Sequence, residues 1–208
     1  MGNNFMKETP IFEEVFMRLI RQPGFGLKLL IGGLLSFVPV LNLFAFGYLY
    51  RFSKQTRATG RVILQEWGDW KGLFFDGLRF AVVWLAYWLL PIIIALVLSS
   101  LLRQVGLGAI AFLIFSVVFL LSPVLFSSAL YRLQMRSDFK DLLDVVLIVR
   151  MSYMEFSRFL IPALTFLGIF TLLAPLYGFA VFFGFMMLIA YTAVCYRAIE
   201  QGGRPASL

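Results

Sequence analysis

The residues best suited to chemistry lie in one short stretch, QEWGDWKGLFFDGL, where three carboxylates are interspersed with aromatic residues. The candidate interaction residues are Glu66, Trp67, Asp69, Trp70 and Asp76. Three carboxylates near a surface can hold a cation or the basic patch of a partner. The simpler interpretation is structural: Asp69 caps a helix start, and the tryptophans anchor at a membrane interface.

Other reactive residue types are scarce. The chain has no histidine and one cysteine, Cys195, so zinc and haem sites lack their usual ligands and an internal disulfide is excluded. Serines are plentiful, but no histidine is present to activate one. We therefore expect no catalytic residue, no metal site and no cofactor, and a protein that is not an enzyme.

The composition is that of a membrane protein. Hydrophobic residues make up 61% of the chain, charged residues 14%, and the mean hydropathy is +0.90. Such long uncharged stretches are typical of segments solvated by lipid. The net charge of +7 comes from residues that flank these stretches. We therefore expect membrane lipids as partners and no nucleic acid.

The uncharged stretches cover residues 29–50, 80–102, 104–131 and 159–196. At 1.5 Å per residue, the second and third each fit one helix through a hydrocarbon core of about 30 Å, with a turn near Arg103. The fourth is too long for one helix and should form two, 159–174 and 176–196, broken at Pro175. The first is interrupted at Pro39 and is either a single span or a re-entrant hairpin.

The basic residues favour the hairpin for the first stretch. If residues 29–50 return to their starting side, every basic residue except Arg103 lies on one face of the membrane. Positive charge accumulates in short cytoplasmic loops, so both termini and the polar segments are predicted to be cytoplasmic in the cell (inner) membrane. A single crossing gives a weaker but acceptable charge distribution.

Amphipathic segments alternate with the apolar ones. Interfacial helices are predicted at about residues 11–22, 69–79 and 137–158, the last with Ser137 at its cap. DWKGL at 69–73 resembles DFKDL at 138–142, and a Tyr-Arg pair ends each apolar region. The pairs are Tyr50–Arg51, Tyr131–Arg132 and Tyr196–Arg197. These similarities suggest three pseudo-repeated units, although an ordinary aromatic and basic belt also explains the pairs.

The predicted fold is an all-α polytopic membrane bundle in one integral domain, residues 1–208. Its apolar stretches lack ionisable residues, which disfavours proton pumps and ion-coupled carriers. The first hypothesis is therefore a non-enzymatic protein acting through lipid or protein contacts, as a homo-oligomer or as a subunit or scaffold of a membrane assembly. The alternative is a carrier or lipid-translocating protein with a cavity at the broken helices. The candidate cavity residues are Asn42, Ser122, Thr165 and Tyr177.

Several short motifs carry a resemblance to a known family. They are GGLL at 32–35, VPVLN at 38–42, Gly47 with Tyr48, EWGDW at 66–70 and FDGL at 75–78. In this order they resemble an uncharacterised prokaryotic membrane family, domain-of-unknown-function 4013. The motifs lie within residues 12–96, and the remainder is similar in hydropathy. The resemblance implies a multi-pass helical membrane fold and no particular activity.

Overall fold

The computed structural model describes residues 12–136 and 138–202, and within them it contains helices and no strand. The α-helices are α1 Phe12–Ile20, α2 Phe25–Leu35, α3 Asn42–Thr59, α4 Trp70–Trp84, α5 Leu90–Gln104, α6 Gly108–Arg136, α7 Val145–Leu172 and α8 Tyr177–Gly202. Three helical stretches are long and apolar enough to cross a membrane: 70–104, 108–135 and 174–198. The predicted class, an all-α polytopic membrane bundle, is confirmed.

Helices α4 and α5 form one continuous rod joined by a π-helical turn, Leu85–Leu89. No break in the helix separates the interfacial segment predicted at 69–79 from the span predicted at 80–102. The π turn ends two residues before Pro91, which has no backbone N–H to donate. The wider turn accommodates this missing donor without breaking the helix.

Helices α5 and α6 form the predicted hairpin, and its turn lies at residues 105–107. Ser99 Oγ donates to the Ala111 carbonyl oxygen at 2.9 Å and links the two helices near the turn. Ala95 and Ala111 are buried between them. Small side chains at these positions allow the close approach that is usual between helices in lipid.

Helix α7 also differs from the prediction. The segment 137–158 does not form a separate helix: a short 3₁₀ turn at Phe139–Leu143 precedes α7, which then continues to Leu172. Asp144 caps α7 by accepting from the Leu147 N–H at 3.1 Å. The predicted cap Ser137 lies outside the described residues, as does residue 11 at the start of the first predicted interfacial helix.

The first apolar stretch is a hairpin of α2 and α3, and residues 36–41 around Pro39 form its turn. The two open ends of this hairpin meet. Gln22 Oε1 accepts from the Leu64 N–H at 2.6 Å, and Lys28 Nζ donates to the Leu64 carbonyl at 3.2 Å. The chain after α3 has therefore returned to the side from which α2 starts, as the charge distribution favours.

Helix α8 is the centre of the bundle. Phe185, fully buried, lies within ring contact of Phe46 on α3, Phe80 on α4, Phe126 on α6 and Phe166 on α7. In the most apolar window of α8, 78% of residues are buried, compared with 22% for the α4–α5 rod and 28% for α6. Most of the hydrophobic core thus surrounds α8. The suggested triplication stays a prediction.

Candidate functional site

The segment 61–69, which connects α3 to α4, carries three of the five predicted interaction residues and is held against the α2–α3 hairpin. Glu66 Oε1 accepts from Lys28 Nζ at 2.7 Å. The Lys28 side chain is 8% exposed and Glu66 is 89% exposed. A buried ammonium group requires such partners, because its desolvation is otherwise unfavourable. Glu66 therefore provides the carboxylate partner of the buried Lys28 ammonium group on α2.

Arg51, near the middle of α3, joins the other two carboxylates. Its Nη2 donates to Asp69 Oδ2 and its Nε to Asp76 Oδ2, both at 2.7 Å. Asp76 also accepts from Arg79 at 3.0 Å. The planar guanidinium can serve two carboxylates at once because its donors point in fixed, diverging directions. This Arg51 cluster ties the start and the second turn of α4 to α3.

Asp69 has the predicted capping role. Its side chain accepts from the Gly72 N–H at 3.2 Å, and its backbone is left-handed with φ 46°. Aspartate tolerates this conformation better than most residues. The hydrogen bond from Arg51 and that from Gly72 hold the pKa of the Asp69 carboxyl below its ordinary value. Asp69 is thus ionised and fully engaged at neutral pH.

The aromatic residues of the motif stack on α3 and α8. The Trp67 ring stacks on Tyr48 with centroids 4.4 Å apart and also contacts Phe182, at 6.2 Å. The Tyr48 hydroxyl donates to the Gln65 carbonyl at 3.0 Å. Trp70 stacks on Trp67 and remains half exposed. Of the two tryptophans, Trp70 is therefore the more exposed.

The structure thus brings the five predicted residues together, but their charges are already paired. Each carboxylate accepts from a basic side chain of the bundle. Within the described residues, no group of three or more Asp, Glu, His or Cys side chains is arranged to hold a metal ion. The geometry is that of a clasp that attaches the connecting segment to α2 and α3.

The basic partners in this clasp were missed by sequence reasoning, which assigned Arg51 to a membrane belt. One signal was available, because Arg51 and Arg132 occupy corresponding places in the Tyr-Arg pairs. Arg132 Nη2 likewise lies 3.5 Å from Asp141 of the following segment. The arginine of each of these two pairs therefore holds an aspartate of the next polar segment.

Two of the four candidate cavity residues form hydrogen bonds within a single helix. Ser122 and Thr165 each donate to a carbonyl oxygen one turn earlier, Val118 at 2.7 Å and Ile161 at 2.9 Å. Tyr177 donates to the Phe37 carbonyl at 2.5 Å. Asn42 lies at the start of α3, where its Oδ1 is buried and has no hydrogen-bond partner among the described residues.

A larger concave feature lies elsewhere, between the α4–α5 rod, α6 and α7. This lateral groove has a volume of about 700 Å³. It is lined by Val82, Ala86, Tyr87, Leu90, Pro91, Leu125, Phe139, Lys140, Leu142, Leu143, Val145 and Val149. The Tyr87 hydroxyl in this lining donates to the Leu142 carbonyl. Lys140 is the one charged residue among the lining residues. A second apolar groove of about 490 Å³ between α6 and α7 shares Leu125 and Val149 with it.

Comparison with protein families gives one match, over residues 31–202, to the family described as protein of unknown function (DUF4013). The chain belongs to this family. The match extends through the second half of the chain, beyond the motifs that suggested it. Neither the curated proteins nor the solved structures gave a significant match.

The motifs that indicated DUF4013 meet in the structure. Gly47 of α3 and Gly77 of α4 lie at the crossing of these helices. A Cβ at Gly77 would overlap the Leu43 carbonyl, and one at Gly47 would overlap the Leu73 carbonyl. Gly33 faces the ring of Phe179 on α8 in the same way. These glycines allow helix backbones to approach as closely as packing in lipid requires.

Proposed function

We propose that this DUF4013 protein is a non-enzymatic membrane protein that acts through lipid and protein contacts, and that a phospholipid occupies the lateral groove. The observation that carries the proposal is the lining of this groove, which is apolar except for Lys140. The pairing of each carboxylate in the clasp with a basic side chain supports a structural role for that segment.

The position of Lys140 indicates how the lipid would lie. Lys140 belongs to the 3₁₀ turn before α7, and α7 leads from there into the apolar part of the bundle. An acyl chain in the groove would contact Val149 and Leu125, and the lipid phosphate would meet the Lys140 ammonium group at the membrane interface. A lysine is suited to this contact because its long stem reaches head-group depth.

Two exposed valines provide a matched test by native mass spectrometry of the detergent-solubilised protein with added phosphatidylethanolamine. Val149→Trp fills the groove and should abolish the bound-lipid peak. Val97→Trp, on the lipid-facing side of α5 and outside the groove lining, should retain it. Lys140→Gln should weaken binding several-fold. Equal lipid retention by the two tryptophan variants would contradict the proposal.

We further propose the cell membrane as the location, with the polar segments on the cytoplasmic side and other membrane subunits or further copies of the chain as partners. The support for this orientation is that every basic residue except Arg103 flanks one side of the apolar stretches when α2–α3 is a hairpin.

The alternative, a carrier or lipid-translocating protein, has one observation in its favour, the buried and unpartnered Oδ1 of Asn42 at the α2–α3 turn. A buried amide oxygen of this kind is a ready acceptor for a polar ligand or water. Reconstitution in vesicles with a fluorescent phospholipid decides between the two functions. Transport that is lost in Asn42→Leu would favour the carrier.

A further inference from the structure

We infer that the two outer hairpins, α2–α3 and α7–α8, end inside the bilayer, and that only the hairpin of the α4–α5 rod with α6 crosses it. The acyl chains of lipids on the far side, the side of the 105–107 turn, would then lie directly beneath the two outer hairpins. Three hairpins of similar appearance in sequence thus have two different depths.

The first observation is that the α4–α5 rod extends further than α7 beyond the level at which the two contact each other. The rings of Trp88 and Phe170 lie 6.0 Å apart, which places these residues at a similar depth. Helix α7 ends two residues later, at Leu172, whereas α5 continues to Gln104. At 1.5 Å per residue, the α5–α6 turn lies roughly 20 Å beyond the end of α7. This distance is most of a hydrocarbon core of about 30 Å.

The second observation is that the tips of the two outer hairpins contact each other. The Phe37 and Tyr177 rings are 4.8 Å apart, and Tyr177 donates to the Phe37 carbonyl. A Cβ at Gly178 would lie 2.6 Å from the Gly33 carbonyl oxygen, so the two backbones also meet there. The tips therefore lie at one depth and share the same surroundings.

Both tips are suited to lipid. Their large side chains are apolar and exposed, including Val40 at 66% and Leu172 at 82%. Backbone groups in the turns are bonded locally: the Asn42 N–H donates to Val38 at 2.8 Å, and the Leu176 N–H to Leu173 at 2.8 Å. Irregular backbone is tolerated at membrane depth when its polar groups are satisfied in this way.

The burial of α8 removes the main argument for a third crossing. A crossing helix at the edge of a bundle exposes apolar side chains to lipid, as the α4–α5 rod and α6 do: in their most apolar parts 22% and 28% of residues are buried. In the most apolar part of α8 the share is 78%, so its apolar sequence is explained by contact with the other helices. Length and composition alone do not require α8 to reach the far side.

Single cysteines test the depths directly. In a Cys195→Ala background, Val38→Cys and Leu176→Cys report the two tips, Val105→Cys the α5–α6 turn and Lys54→Cys the opposite side. All four positions are exposed in the folded chain, so protein burial does not limit their labelling. A membrane-impermeant maleimide is added to intact vesicles, to permeabilised vesicles in which both membrane faces are accessible, and to vesicles dissolved in SDS.

We expect Lys54→Cys to be labelled from one side and Val105→Cys from the other. The two tip cysteines should stay unlabelled until SDS is added. Labelling of a tip from the Val105 side would show that its hairpin crosses, and labelling from the Lys54 side would place it at the near surface. Either result overturns the inference. Val40→Cys and Leu172→Cys give a second pair of tip reporters if a first variant does not fold.

Discussion

Arg51 shows how far single residues in this chain can be interpreted before the fold is known. Sequence alone indicated that Asp69 caps a helix, because capping depends on the next three residues. It did not indicate that Arg51 joins Asp69 and Asp76 or that Lys28 joins Glu66, because these pairs depend on the crossing of α3 with α4 and on the return of the α2–α3 hairpin. The acidic residues of these ion pairs were therefore identified from the sequence, and the basic residues were missed.

Removal of Arg51 should loosen the start of α4. Arg51→Gln leaves two carboxylates without their shared donor. Because Arg51 and Asp76 are largely buried, at 25% and 17% exposed, we expect a loss of about 1–3 kcal/mol in the free energy of unfolding. A thiol-reactive dye provides the measurement in detergent, because Cys195, 1% exposed, reacts only on unfolding.

Lys54→Gln is the matched control for Arg51→Gln, since Lys54 lies three residues further along α3 and is exposed. It should leave the unfolding midpoint almost unchanged. Combination of Arg51→Gln with Asp76→Asn should be less destabilising than the sum of the single changes. Additive losses would show that Arg51 and Asp76 do not interact.

The lowered pKa of Asp69 gives this region a predictable response to acid. Its pKa in the folded state lies below the ordinary value of 3.8 because of the hydrogen bonds from Arg51 and Gly72. The resulting stability is present above the unfolded pKa and is lost as pH falls through the folded pKa. Melting temperatures of wild type and Asp69→Asn should therefore differ at pH 6 and converge as the pH falls below 3.8 and through the folded pKa. A difference that persists at low pH would mean that ionisation of Asp69 is not its source.

At the scale of helices, the crossing of α3 and α4 allows no side chain at Gly77. In Gly77→Ala the added Cβ meets a backbone carbonyl, that of Leu43, which cannot rotate away as a side chain would. The helices must separate, and we expect a loss of about 1–3 kcal/mol in unfolding free energy, measured by the same dye assay.

Gly168→Ala in α7 is the control for Gly77→Ala, because a Cβ at Gly168 has no neighbour within 4 Å. Alanine favours the helix over glycine, so this variant should be neutral or more stable by up to about 1 kcal/mol. A Gly77→Ala protein as stable as Gly168→Ala would show that the helices are not in contact at this point.

Helix existence was predicted better than helix extent. The turns at Pro39, near Arg103 and at Pro175 were visible because uncharged runs were too long or were interrupted by proline. The continuity of α4 with α5 and the unbroken course of α7 were not visible. A change from amphipathic to apolar sequence marks a change of surroundings along a helix, and the backbone hydrogen bonding of α7 can continue through it.

For the whole molecule, composition was sufficient to predict a polytopic helical membrane protein but not the place of each helix within it. Helix α8 is long and apolar enough to cross a membrane, yet it lies at the centre of the described bundle. Hydropathy reports only that a segment avoids water, and both lipid and a protein core satisfy that condition. Burial therefore separates the two cases where sequence cannot.

The unequal depth of the three hairpins also determines how much area the protein takes from each half of the membrane. On the near side the leaflet must accommodate helices from all three hairpins, whereas the far leaflet meets only the distal parts of α5 and α6. A protein that is wider in the near leaflet than in the far leaflet fits best in a bilayer whose near leaflet is expanded by curvature. In the proposed arrangement, the protein would therefore accumulate where the near leaflet forms the convex face of a curved membrane.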